Sequence, residues 1–196
     1  MTGIEAAAFE QPADEPDRDE EIALEARSNV QAFELLYRRH KLAVFRYLRA
    51  RTGSDDDAAE LTAVTFERAL SAIGRYRPGR GGVLAWLFTI ARNAANDADR
   101  RRNRWRLLVR HRDDAEPDPP DARLTEDDLL ERERLIELRH RVRALPVMQR
   151  EALVLRYAGG LTAREIGVTL GKSEAATLKI LSRALATLRE AYRDDQ

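Results

Sequence analysis

The sequence predicts an all-α chain: two small helical bundles joined by a flexible, acidic, Pro-rich linker, the second bundle carrying a helix-turn-helix. Three observations predict it. No run alternates apolar and polar residues over five or more positions between turn signals, so strands are not expected. Apolar residues instead recur at three-to-four spacing in segments closed by Gly or Pro. Charge is segregated along a chain whose net charge is zero, with 34 basic and 34 acidic residues in 196. Residues 1–28 carry nine acids and two bases, 29–112 eighteen bases and eight acids, 113–134 ten acids and three bases, and 135–196 eleven bases and seven acids. Two basic blocks flanked by acidic ones point to two modules facing a polyanion. Solvated surface charge is the bland alternative.

Residues 1–27 are read as an acidic disordered tail, because dense like charge and two prolines leave too little apolar surface to offset chain entropy. The first module spans 28–112. Val30, Phe33, Tyr37, Val44 and Leu48 mark its first helix, after Ser28 as cap and up to Gly53. Ser54-Asp55-Asp56-Asp57 opens a second, its acids suited to a helix N-terminus, running through Leu61, Phe66, Leu70 and Ile73 to Gly74. The loop RYRPGRGG follows. A third helix carries Leu84, Leu87, Ala91, Ala94 and Ala98 on one face and then turns strongly basic, with Arg100, Arg101, Arg102, Arg104 and Arg106.

Residues 113–134, with Pro117, Pro119 and Pro120, are read as the flexible acidic linker. The second module, 135–196, begins with a helix marked by Leu135, Leu138, Val142 and Leu145 that stops before Pro146. A short helix covers Arg150–Tyr157, and Thr162 with Glu165 forms a capping box for the next. Ser173 caps the last helix, whose expected buried stripe is Leu178, Leu181, Leu185, Leu188 and Tyr192.

The segment LTAREIGVTLGKSEAATLKILSRAL thus reads as helix, short turn with Gly, helix. In that arrangement the second helix enters a DNA major groove. With the leucines inside, Ser173, Glu174, Ala175, Lys179, Ser182 and Arg183 lie outside near the helix start. Ser173 and the neighbouring N–H groups suit a phosphate, and Lys179 and Arg183 reach phosphates or guanine edges. A plain helical hairpin is the alternative for this stretch taken alone.

Other chemistry is excluded at this stage. The chain has no Cys, hence no disulfide, thiolate metal site or Cys nucleophile. Its three histidines are scattered, no phosphate-binding loop follows a strand, and no cofactor is called for. No apolar run approaches the ~20 residues that span a bilayer, so a cytoplasmic protein without membrane insertion is expected.

FELLYRRHKLAVFRYLRARTG, AAELTAVTFERALSAIGRYR and VLAWLFTIARNAANDADRRRNR, followed by RALPVMQREALVLRYAGGLTAREIGVTLGKSEAATLKILSRAL, together resemble the sigma factors of bacterial RNA polymerase, specifically the small extracytoplasmic-function group. The resemblance covers about residues 32–112 and 135–190. It implies a protein that binds core RNA polymerase, reads the minus-ten and minus-thirty-five promoter elements as duplex, and holds the melted non-template strand. An anti-sigma factor is a further implied partner. Polymerase contact falls by resemblance on Asp57, Glu60, Glu67 and Arg68. The minus-ten candidates are Tyr76, Arg77, Arg80, Trp86, Arg92, Asn93, Arg100 and Arg101. Tyr76 sits among arginines, where a basic track and a planar ring suit an unstacked base. Trp86 reads as core packing or base contact, Asn93 as a base-edge reader, and Arg100–Arg102 as phosphate contacts that position without specifying.

Two departures stand out. Ala63-Val64 replaces a Gln-Glu pair common in the family, and Leu178 and Ile180 occupy positions often basic. Rival readings are a helix-turn-helix regulator that acts without polymerase and a sigma-like interaction protein with weakened DNA reading.

Overall fold

A computed structural model describes residues 15–79, 81–108 and 126–193. Among them all regular structure is helical: α1 (Glu15–Glu25), α2 (Val30–Thr52), α3 (Asp55–Ala72), a 3₁₀ turn (Ile73–Arg75), α4 (Gly82–Leu108), α5 (Glu126–Ala144), α6 (Val147–Tyr157), α7 (Ala163–Leu170) and α8 (Glu174–Arg193).

The helix termini follow local chemistry. Ser54 accepts a hydrogen bond from Asp57 N at 3.2 Å, and the first turn of α3 holds three aspartates. Thr162 and Glu165 form the reciprocal capping box of α7. Gly53 and Gly171 close α2 and α7 in the left-handed region, at φ +80 and +66. The cap of α2 is Asn29 rather than Ser28. Asn29 Oδ1 accepts from Gln31 N at 3.0 Å while its amide donates to Glu25 Oε1 at 2.7 Å, two bonds that Ser28 does not make. Helix α6 starts at Val147, three residues before the expected Arg150, because Pro146 is its cap and the Pro146 carbonyl accepts from Arg150 N at 3.0 Å.

Two segments read from composition as lacking structure are partly helical. Residues 15–25 of the expected disordered tail form α1, which lies on α2 and α4. Ala23 and Ala26, three apart, are buried, and their small side chains let α1 approach closely. One acid of the run, Asp19, is compensated: it accepts from Arg39, and its Oδ2 lies 2.9 Å from His40 Nε2. Burial raises the Asp19 pKa, but the bond and charge of His40, with those of Arg39, outweigh this and hold it below the ordinary carboxylate value. Residues 126–134 of the expected linker open α5. Positions 1–14 and 109–125 lie outside the described residues.

The core runs through both helical groups. Phe33, Leu36, Val44, Leu48, Phe66, Leu87 and Phe88 join in one buried cluster with Leu155, Leu161, Ile166 and Leu170 from beyond the linker. A β-carbon on Gly159 would sit 2.6 Å from Phe88, and one on Gly81 3.0 Å from Val168 Cβ, so the groups touch at glycines. A smaller cluster, Leu145, Leu153 and Ala184, ties α8 to α6. Periodicity places Val30, Tyr37 and Leu70 on buried stripes. They are instead 62, 39 and 44% exposed, because α2 and α3 turn Ala32, Leu36, Ala58 and Ala69 inward.

Candidate nucleic-acid interface

The buried edge of α8 differs from the leucine stripe. Thr177 and Ala184 are fully buried, Leu181, Leu185 and Leu188 are half-buried, and Leu178 and Tyr192 are 54 and 40% exposed. The cause is a close approach to α7. A β-carbon at Gly167 would meet Lys172 O at 2.8 Å and Thr177 Oγ1 at 3.2 Å, so Thr177, not Leu178, faces the seam. Thr177 Oγ1 is satisfied by donating to Ser173 O at 3.0 Å.

This rotation leaves the expected outward face intact. Ser173, Glu174, Ala175, Lys179, Ser182 and Arg183 are all exposed. Ser173 Oγ accepts from Ala176 N at 3.2 Å, capping α8. Neither Lys179 nor Arg183 is in an ion pair among the described residues, so both are unneutralised cations on the exposed side of α8. Such a face binds phosphate and reaches base edges. Leu178 joins it as an apolar member.

On α4 the picture is mixed. Asn93, Arg100 and Arg101 are exposed and Trp86 is half-buried. Arg100 bonds Asp97 at 2.5 Å. Arg77 is exposed and donates to Tyr76 O at 3.0 Å. Arg80 lies outside the described residues. Tyr76 is 3% exposed and packs on Trp86 with ring centroids 5.1 Å apart, so in this arrangement it is core and cannot receive a base. Its hydroxyl is buried without a hydrogen-bond partner, and burial together with the charge of Glu20 pushes its pKa up to about 12. Nothing in the arginine-rich loop signals that the ring packs on Trp86, or that Glu20 of α1 comes near enough for its charge to act on the hydroxyl.

The α3 candidates are exposed at Glu60 and Glu67 and half-buried at Asp57 and Arg68. The latter pair is tied to α4: Asp57 accepts from Arg102 at 2.8 Å and Arg68 donates to Asp97 at 2.9 Å. Arg100 and Arg68 together hold the Asp97 carboxyl below its usual range. Thus α3 and the basic end of α4 form one charged surface.

A cluster that sequence reasoning missed joins the two helical groups. Glu151 on α6 accepts from Tyr47 Oη at 2.5 Å and from Arg51 Nη1 at 2.7 Å, and lies 3.8 Å from Arg92 Nε. Arg51 also donates to Asn96 Oδ1 at 2.6 Å and Asp99 Oδ2 at 3.2 Å. Burial, and then the negative charge of Glu151, raise the Tyr47 pKa. Tyr47 and Arg51 sit one turn apart, but a partner 100 residues away leaves no local signal. Among the described residues no group of His, Cys, Asp and Glu is placed to hold a metal ion, and no helix is long and apolar enough to cross a membrane.

Comparison with known proteins agrees with this geometry. Residues 36–106 match the family described as Sigma-70 region 2, and residues 135–193 match Sigma-70, region 4. The chain is 35% identical over 164 residues to the ECF RNA polymerase sigma factor BldN of Streptomyces coelicolor, covering 84% of this chain and 61% of that protein. It is 31% identical over 159 residues to the ECF RNA polymerase sigma factor SigD of Mycobacterium tuberculosis, 75% of this chain and 70% of SigD. The solved structure of CnrH in complex with the cytosolic domain of CnrY superposes with a TM-score of 0.64 at 25% identity, covering 91% of this chain and 99% of that one. With a region-2 match on α2–α4 and a region-4 match on α5–α8, this chain belongs to the sigma-70 family, in the extracytoplasmic-function group of RNA polymerase sigma factors.

Proposed function

We propose that the chain is a non-catalytic promoter-specificity subunit acting in the cytoplasm. It binds core RNA polymerase through the exposed side of α3 (Asp57, Glu60, Glu67, Arg68). It seats α8 in the major groove at the minus-thirty-five element, lays α4 on the minus-ten element, and holds the melted strand there. Residues 28–112 and 135–196 serve as the two promoter-binding modules, with α1 as an addition to the first. The observation that carries the reading is the outward face of α8, where Lys179 and Arg183 stand exposed without ion pairs among the described residues, on the helix that Ser173 caps. Each direct base contact contributes about 1–3 kcal/mol of discrimination, and binding falls steeply with salt as phosphate counterions are released.

The test is co-purification with core polymerase of the encoding organism, followed by transcription in vitro from a fragmented genomic library with mapping of RNA 5′ ends. Starts that depend on the added chain and share upstream sequence are expected. A protein that binds DNA as an isolated dimer and never binds polymerase would instead be a conventional helix-turn-helix regulator.

CnrH is seen with a protein partner, and a groove of about 910 Å³ between α2, α5, α6 and α8 gives this chain a place for one. Phe45, Val142, Leu153 and Leu185 line it together with Arg46, Arg143 and Arg150. An anti-sigma segment with apolar and acidic faces fits that chemistry. The exposure of Leu178 favours a second reading, an interaction protein with weakened DNA reading. Promoter use unchanged by Lys179→Ala with Arg183→Ala would establish it.

A further inference from the structure

The Glu151 cluster is unused by the function proposed above, yet it touches that function at one residue. Arg92 belongs to the minus-ten candidates on α4, and its Nε is buried without a hydrogen-bond partner. The carboxylate 3.8 Å away is the opposite charge that faces it. The Glu151 side chain is only 13% exposed, and Arg51, which it also neutralises, 17%. Around this polar centre α7 lies on α4 and α6 on α2. Gly159 abuts Phe88, Val168 abuts Gly81, and Thr169 Oγ1 approaches Ala85 O at 3.4 Å. The helix assigned to promoter reading is therefore partly covered by the chain's own helix-turn-helix module.

A carboxylate set against two arginines at a nucleic-acid face occupies the electrostatic place of a phosphate. We infer that Glu151 is an intramolecular latch: it neutralises Arg51 and Arg92 and holds the free chain in a closed form that binds DNA weakly, without a second protein. The assignment rests on the reading of α4 as the minus-ten helix.

A buried ion pair adds little net stability over an apolar replacement, and in some proteins it selects one arrangement over others. Removing the carboxylate leaves the buried Arg92 Nε without the opposite charge that faces it, while Arg51 keeps Asn96 and Asp99; Arg92 is then hydrated only when the modules part, so loss of Glu151 favours opening. The apparent affinity of the free chain equals its intrinsic affinity scaled by the open fraction, so opening reads out directly as tighter binding.

The chain has no Cys, so dyes placed by Ser71→Cys on α3 and Ala186→Cys on α8, both exposed positions, report the distance between modules. Without partners, the unaltered latch is expected to give one short-distance population. Glu151→Gln, and more strongly Glu151→Ala, should move population to longer distance and tighten binding of a mixed-sequence single-stranded 20-mer by about threefold or more. Glu190→Gln, an exposed acid on α8, controls for the change in net charge and should do neither. Binding of core polymerase should lengthen the distance in the protein with Glu151 intact. Folded Glu151 variants with unchanged distance and affinity would overturn the inference. So would a short distance persisting in a transcribing polymerase complex, a measurement that does not depend on any Glu151 variant folding. A chain that opens on loss of Glu151 yet never binds polymerase or promoter would instead remove the proposed function and leave the latch standing.

Discussion

Gly167 and Thr177 set the rotation of the DNA-facing helix: a β-carbon on the glycine would lie 3.2 Å from the threonine hydroxyl and 2.8 Å from the carbonyl of Lys172. Lys172 N also donates to Gly167 O at 2.7 Å, so Lys172 cannot move away without losing the turn. Gly167→Ala is expected to cost about 1–3 kcal/mol by overpacking. Thermal melting followed by circular dichroism checks this, and weaker binding to minus-thirty-five duplex should accompany the lower Tm. An unchanged Tm would mean that the seam tolerates a methyl group.

Asp19 fastens α1 through Arg39 and His40, and its pKa is depressed in the folded chain. The unfolded chain therefore binds more protons than the folded one as pH falls into the carboxylate range. The contribution of Asp19 is complete above its unfolded value of about 4 and is lost as pH drops through the lower, folded value. Asp19→Asn should cost about 1–3 kcal/mol near neutrality. Denaturant titrations across the acidic range up to neutrality should show a smaller loss of stability on acidification in the variant than in the parent. Parallel curves would show that Asp19 carries no such linkage.

Tyr76 packs on Trp86 rather than standing in solvent, with a buried hydroxyl that has no partner. Tyr76→Ala should lower stability by about 3–5 kcal/mol, as truncations of buried aromatic residues do. It should thereby reduce closed binding and promoter opening together. Tyr76→Phe removes only the unpaired hydroxyl and is expected to leave stability equal or slightly higher. Urea titrations separate the two. Selective loss of opening in a fully stable Tyr76→Ala protein would return the ring to a base-binding role.

Lys179 and Arg183 are the exposed cations of the α8 face. Alanine at both should weaken promoter binding and lower the slope of log affinity against log salt by about 1 for each phosphate left without its cation. Loss confined to one promoter sequence, with the slope unchanged, would mark them as base readers. Duplex binding measured from low to moderate salt decides between the two roles.

Where structure follows from neighbours in the chain, the sequence alone determined it. The capping box at Thr162–Glu165, the Ser54 cap, and the ends at Gly53 and Gly171 depend on atoms a few residues apart, and each was legible. Family membership was legible for a related reason, since it lies in the order and spacing of helical segments. Only the tertiary structure decided the rest. Whether Leu178 or Thr177 faces inward depended on a glycine in another helix. Whether Tyr76 is base platform or core depended on how its loop packs against Trp86 of α4. Whether Arg92 is available to DNA depended on Glu151, 59 residues further along. Burial and charge pairing are properties of what meets in space, and encounters between such distant positions leave no period, cap or turn signal behind.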